Sequence, residues 1–264
     1  MENIFTVAEF CLHHTDVTQK IDSTHQARKL FESNQLSFES SSPVLAITET
    51  RFPEKPQLLA PREMPRRRMN SPAGKAAFFH ALAHIEFVAI YLAWDMLYRF
   101  RDLPEKFYQD WLQVADEEAL HFSLIREHLL GMGVDYGDLP AHRGLWGHAE
   151  DTAHSILARL AIVPRCMEAR GLDITPQMID KFKTQGDEES VRLLSRILED
   201  EVGHVKIGSY WFKTICQQQG LNYQEKYKEM IEKFYVGKPK GPFNRELRII
   251  AGFSNAEIDW LEQK

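Results

Sequence analysis

The sequence predicts an all-α fold: a four-helix bundle built around paired metal ligands, with further helices at both ends. Three observations predict it. A Glu-x-x-His pair occurs twice on apolar-periodic stretches, as Glu118 with His121 and as Glu201 with His204. Residues three apart lie about one turn apart on one face of an α-helix, so each pair presents a carboxylate and an imidazole to the same side. Each pair also has a Glu upstream, within an apolar helical stripe, at nearly equal distance. Glu86 lies 118 − 86 = 32 residues before Glu118, and Glu168 lies 201 − 168 = 33 before Glu201. Between the two copies, residues 135–147 are rich in Gly and contain Pro140. They supply the long crossover that such a bundle needs if its second and third helices run parallel.

Each element follows in order. Residues 6–33 read as two short helices, the first with apolar Ala8, Phe10, Cys11 and Leu12, the second with Ile21, Ala27, Leu30 and Phe31. His13, His14 and His25 lie there without a carboxylate at ligand spacing, so they are expected to be surface or capping residues. From 34 to 71, Pro43, Pro53, Pro56, Pro61 and Pro65 interrupt every pattern, which predicts an extended segment wrapping across the bundle. Arg62, Arg66, Arg67 and Arg68 form a small basic cluster within it. A solvated loop is its plainer reading, and a phosphate or tRNA contact the alternative.

The first long helix is expected over 72–100, opened by Ser71 as cap and Pro72 at the first helical position. Glu86 falls in the middle of its stripe of Phe79, Leu82, Ala83, Ala89, Ile90 and Ala93. A carboxylate there must be paired or bound to a cation. His80 and His84 are out of register with Glu86 and are expected to pack or to support the ligands. The second helix is expected over 104–131 and stops at Gly131 and Gly133. The third is expected from 148 to about 170, with Pro164 kinking it one turn before Glu168. A short separate helix follows over 176–185, then the fourth bundle helix over 187–218, where Gly208 leaves room for a substrate or a close helix contact. The tail predicts an amphipathic helix over 223–235, a loop over 237–244, and a last short helix opened by a Ser254–Glu257 capping box. The chain is thus expected to be one domain: a bundle core at about 72–218, N-terminal helices and wrap at 1–71, and a C-terminal helical extension at 219–264.

Composition narrows the function classes. The 264 residues carry a net charge of −6, which argues against a surface that is strongly nucleic-acid binding overall. Cys11, Cys166 and Cys216 are odd in number, widely spaced and without a CxxC. They suggest reduced thiols and a cytoplasmic setting. No basic-then-apolar leader is evident at the N-terminus, and no apolar run is expected to reach transmembrane length.

Four carboxylates and two imidazoles suit two iron ions, with manganese or a mixed Fe/Mn pair as alternatives. Glu86, Glu118 and His121 would serve mainly one metal and Glu168, Glu201 and His204 the other, with Glu118 and Glu201 as bridging candidates. A metal-bound His commonly donates its other ring N–H to a carboxylate. Asp200 and Glu117, each directly before a ligand Glu, are the candidates for that task, Asp200 toward His121 and Glu117 toward His204.

The arrangement Glu86 … Glu118-Ala-Leu-His121 … Glu168 … Glu201-Val-Gly-His204 resembles the ferritin-like superfamily. Asp200 through His204 is similar to the ribonucleotide reductase and monooxygenase branch. More closely, His80-Ala-Leu-Ala-His84-Ile-Glu86 together with Asp116-Glu117-Glu118-Ala-Leu-His121-Phe122 resembles a widespread bacterial family of uncharacterised ferritin-like proteins, the domain of unknown function 455. A tRNA-hydroxylating branch is a more distant likeness. The resemblance implies a ferritin-like fold and a di-iron site, without a settled substrate.

The leading expectation is therefore a non-haem di-iron oxidase or monooxygenase that uses O2 on an unknown small molecule with an unknown electron donor. Tyr91, Trp94, Phe122, Tyr210 and Trp211 would line a pocket, carry an electron or pack the core. The alternatives are a ferroxidase or iron-handling protein, against which the long end segments argue, and a metal-binding scaffold without turnover. A homodimer without membrane association is the expected assembly.

Overall fold

The computed structural model is mostly helical and describes residues 1–40, 43–44, 52–65, 71–142, 144–235, 237 and 239–263. The chain forms two compact units, Met1–Gly147 and His148–Lys264.

The first unit opens with α1 (Ile4–His13) and α2 (Val17–Glu32), as the apolar spacing predicts. Asn3 and Asp16 cap them by accepting from Phe5 N and Gln19 N, which satisfies amides that a helix start leaves open. Asn34, at φ 54°, takes the left-handed conformation after α2. The chain then reverses, so that β2 (Leu36–Ser37) pairs in parallel with β1 (Glu2–Asn3). A second parallel pair joins β3 (Leu58–Leu59) to β4 (Ala141–His142). Leu36–Ser37 and Leu58–Leu59 lie in the segment expected to be extended. Each spans only two residues, too few for alternation to show in the sequence. Arg62 lies exposed in a 3₁₀ turn, Pro61–Glu63, whereas Arg66, Arg67 and Arg68 lie outside the described residues.

The unit centres on α3 (Pro72–Arg99) and α4 (Glu105–Gly131), packed along each other. The Ser71 hydroxyl accepts from Gly74 N at 3.1 Å and Pro72 starts the helix, as expected. Every residue from Glu86 to Tyr98 is buried, so this half of α3 is covered on all sides rather than along one stripe. That corrects the transmembrane expectation: α3 contains a window of mean hydropathy 1.6, long and apolar enough by composition to cross a membrane. Yet 72% of the window is buried inside the protein, as befits a core helix.

The second unit repeats the theme with a different first helix. The expected helix over 148–170 is broken. A short α5 (Gly144–Asp151) ends, and α6 (Ile156–Ile162) restarts where the Ser155 hydroxyl accepts from Ala158 N. Buried Arg159 staples the break, donating to Thr152 Oγ1 at 2.8 Å and to the Ala149 carbonyl at 2.6 Å. The kink expected at Pro164 is a π-helical turn, Val163–Glu168, which runs on into α7 (Ala169–Thr184). Pro176 does not begin a separate helix; it lies inside α7. Leu172, Ile179 and Phe182 are buried at helical spacing on both sides of it, and that burial outweighs one lost backbone bond. Gly186, at φ 72°, turns the chain into α8 (Glu188–Gln218), capped by Asp187.

The tail adds α9 (Tyr223–Phe234), α10 (Arg245–Ile250) and α11 (Asn255–Glu262). The Ser254–Glu257 capping box is present as expected. The helix α10 was not expected; Asn244 starts it by accepting from Leu247 N.

Candidate metal centre

In the first unit, Glu86 comes from the middle of α3, and Glu118 and His121 from one face of α4. All three are at most 3% exposed. His121 Nδ1 lies 3.5 Å from Glu86 Oε2 and 3.8 Å from Glu118 Oε2. One ligand atom from each lies within 4.8 Å of the others, so the three can share one metal ion. Two carboxylates buried beside a single imidazole repel each other unless a positive charge sits with them. A divalent ion would supply that charge, since oxygen with imidazole nitrogen is a donor set such ions accept.

The second unit brings together Glu201 and His204, with His204 Nδ1 3.6 Å from Glu201 Oε1. In both units it is Nδ1 of the His that faces the Glu one turn earlier. Glu168 is half-buried at the end of the π turn. Among the described residues it is not drawn into a three-ligand group with Glu201 and His204.

The neighbouring acids have local partners. Asp200 Oδ2 pairs with Arg196 Nε at 3.0 Å, and Glu117 accepts from Gln113 Nε2 at 3.0 Å. Asp116, which was not singled out from sequence, bonds His25 Nδ1 at 2.6 Å and so ties α2 to the ligand-bearing helix α4. His25 therefore has a tertiary task beyond the surface role expected for it.

His80 and His84 do not face the ligands; they latch the crossover to α3. His80 Nε2 accepts from Gly137 N at 3.0 Å and from Leu139 N at 3.4 Å. His84 Nε2 reaches the His142 carbonyl at 3.2 Å, and its Nδ1 meets the Tyr136 hydroxyl at 2.9 Å. The carbonyl can only accept, so Nε2 carries the proton and Nδ1 accepts from Tyr136. Burial lowers the His84 pKa to about 4 against the raising effect of the bond to the His142 carbonyl, which keeps that tautomer neutral. The Tyr136 ring then packs on Phe87 and Phe122 at centroid distances of 5.3 and 4.9 Å. Those two residues directly follow Glu86 and His121 in the chain. Nothing local marks Tyr136 in the sequence, because it sits in a loop and its contacts are distant along the chain. Of the aromatic residues expected near the site, Tyr91, Trp94, Phe122 and Trp211 are buried, and Tyr210 is 56% exposed.

The space expected beside Gly208 is taken. A Cβ there would lie 2.4 Å from Pro164 Cβ. The glycine thus serves a close helix contact rather than a substrate.

With this geometry in hand, comparison with known proteins is informative. Residues 13–259 match a family model described as "Protein of unknown function (DUF455)". The chain belongs to that family. A relative from Haemophilus influenzae (strain ATCC 51907 / DSM 11121 / KW20 / Rd), named "Uncharacterized protein", is 46% identical over 217 residues, 80% of this chain and 75% of that protein. No solved structure matches the chain. For this DUF455 member, function has to be argued from the carboxylate and histidine groups themselves.

Proposed function

We propose that this protein is a non-haem di-iron carboxylate protein of ferritin-like architecture, an O2-dependent oxidase or monooxygenase acting on a small molecule. The observation that carries the reading is the buried trio Glu86, Glu118 and His121, gathered within 4.8 Å. The second unit supports it by repeating the chemistry: a helix ending its π turn on Glu168, then a helix presenting Glu201 and His204. In this reading Glu118 and Glu201 are the bridging candidates, and Asp200 and Glu117 are supporting acids.

Bound iron would supply the electrons that reduce O2. The chain's own groups do the rest. Glu86 and Glu118 balance the metal charge, and His121 offers a neutral nitrogen that leaves iron redox-active. The burial of Glu86, Glu118 and His121 strengthens every electrostatic interaction among them. Manganese, or a mixed pair, fits the same donors.

The test is direct. Protein purified with iron should hold two ions per chain and consume O2 when a reductant is supplied. Glu118→Ala with Glu201→Ala should lose both. Iron-loaded protein that takes up no O2 with any reductant would leave a metal-binding protein without oxidase chemistry.

A further inference from the structure

The π turn Val163–Glu168 departs from the α-helical bonding pattern, and buried backbone groups it leaves open need partners outside it. Here the C-terminal extension holds the turn at three points. The Tyr227 hydroxyl, from α9, donates to the Arg165 carbonyl at 3.1 Å, and both residues are fully buried. Arg248, from α10, donates to the Ala169 carbonyl at 3.4 Å and grips Asp173 through Nε and Nη2 at 2.9 and 2.8 Å. Glu257, from α11, accepts from Arg165 Nη2 at 2.8 Å, and both side chains are fully buried. The Arg165 guanidinium also lies among the rings of Phe212, Tyr227 and Phe253, 4.4–4.8 Å from their centroids. Glu257 divides its two oxygens: Oε2 caps α11 through Ser254, and Oε1 takes Arg165.

We infer that the C-terminal extension locks the π turn open through Tyr227, Arg248 and Glu257, and thereby positions Glu168. A π turn carries one residue more than an α turn, and one residue is about 100° of rotation. Collapse into α register would swing Glu168 by about that angle relative to α6. The three extension residues are therefore positioning residues: they touch no ligand atom and act through the backbone that carries one. The part concerning Glu168 rests on its proposed role as a ligand; the locking of the turn stands apart from that role.

The experiment uses the full chain with Tyr227→Phe, which keeps the ring and deletes only the bond to Arg165, and with Glu257→Gln. Arg245→Ala is the control, because Arg245 lies in the same extension but makes exposed pairs with Asp259 and Glu262. Amide exchange over 163–170 is read by mass spectrometry, and Mn(II) binding by counting free Mn(II) in its spin-resonance signal. The expected result is exchange about tenfold faster over 163–170 in Tyr227→Phe, the worth of one buried hydrogen bond. One of two Mn(II) sites should weaken about tenfold as well, with Arg245→Ala unchanged in both readouts. If Glu257→Gln fails to fold, Tyr227→Phe decides alone. Unchanged exchange in Tyr227→Phe overturns the lock. Faster exchange with both Mn(II) sites intact overturns the link to Glu168. Wild-type protein that binds no Mn(II) or iron would sink the metal reading, and the exchange data would still decide the lock.

Discussion

Lys20 should cost the protein stability at neutral pH, and replacing it by Met should recover it. Lys20 lies on α2 with no exposed surface. Its Nζ sits 3.8 Å from the centroid of the Tyr91 ring on α3 and has no hydrogen-bond partner. The titratable group beside it is Cys11 on α1, itself pushed up to about 11 by burial and so neutral at pH 7. Among the described residues no carboxylate offsets the desolvation, and burial lowers the Lys20 pKa from 10.5 to about 7. The difference, 10.5 − 7 = 3.5 units at about 1.4 kcal/mol each, is about 5 kcal/mol. A desolvated ammonium on an aromatic face regains about 2 kcal/mol, which leaves a net cost of about 3 kcal/mol.

The sign follows from linkage. The folded-state pKa is depressed, so above it and up to 10.5 the unfolded chain holds the extra proton. Wild-type stability therefore rises with pH across that window, by up to about 1.4 kcal/mol per unit, and the full penalty applies below it. Lys20→Met keeps the length of the side chain and removes the charge. Urea unfolding of both proteins at half-unit steps from pH 6.5 to 9.5 reads the difference. The variant should be more stable by about 3 kcal/mol at pH 7, and its advantage should shrink as pH rises. Parallel pH profiles, or a variant less stable at pH 7, would refute the reasoning, because they would require the ammonium to be well solvated or paired.

Further outcomes follow from single contacts. Gly208→Ala would drive a Cβ onto Pro164; overpacking of this kind costs about 1–3 kcal/mol, seen as a lowered urea midpoint. Asp173→Asn would leave buried Arg248 without its counter-charge, with an expected loss of about 3–5 kcal/mol in the same assay. Ser254→Ala removes the hydroxyl that accepts from Glu257 N and should cost about 1 kcal/mol, with a local rise in amide exchange over 255–262. Glu118→Ala alone should abolish metal retention by the first-unit trio while leaving far-UV circular dichroism unchanged.

What was legible in the sequence was what repeats at short range. Glu118 with His121 and Glu201 with His204 follow helical spacing, and Ser71 with Pro72 and Ser254 with Glu257 are cap signals within four residues, so each could be read without knowing the fold. Prolines were legible only as disturbances. Pro164 announced a kink, but whether the chain would break, bend or insert a π turn depended on groups 44 to 92 residues away. Pro176 announced a break that Leu172, Ile179 and Phe182 overrule by burial. The latch of His80 and His84 onto residues 136–142, the His25 bond to Asp116 and the Arg165 pair with Glu257 are contacts between one helix and a distant loop or helix. No periodicity encodes such contacts. They have a common consequence: each fixes a segment adjoining a proposed ligand, α3 before Glu86, α4 before Glu118 and the π turn before Glu168. The ligands themselves are thus the locally encoded part of the site, and the long-range polar contacts are what hold the backbone beneath them.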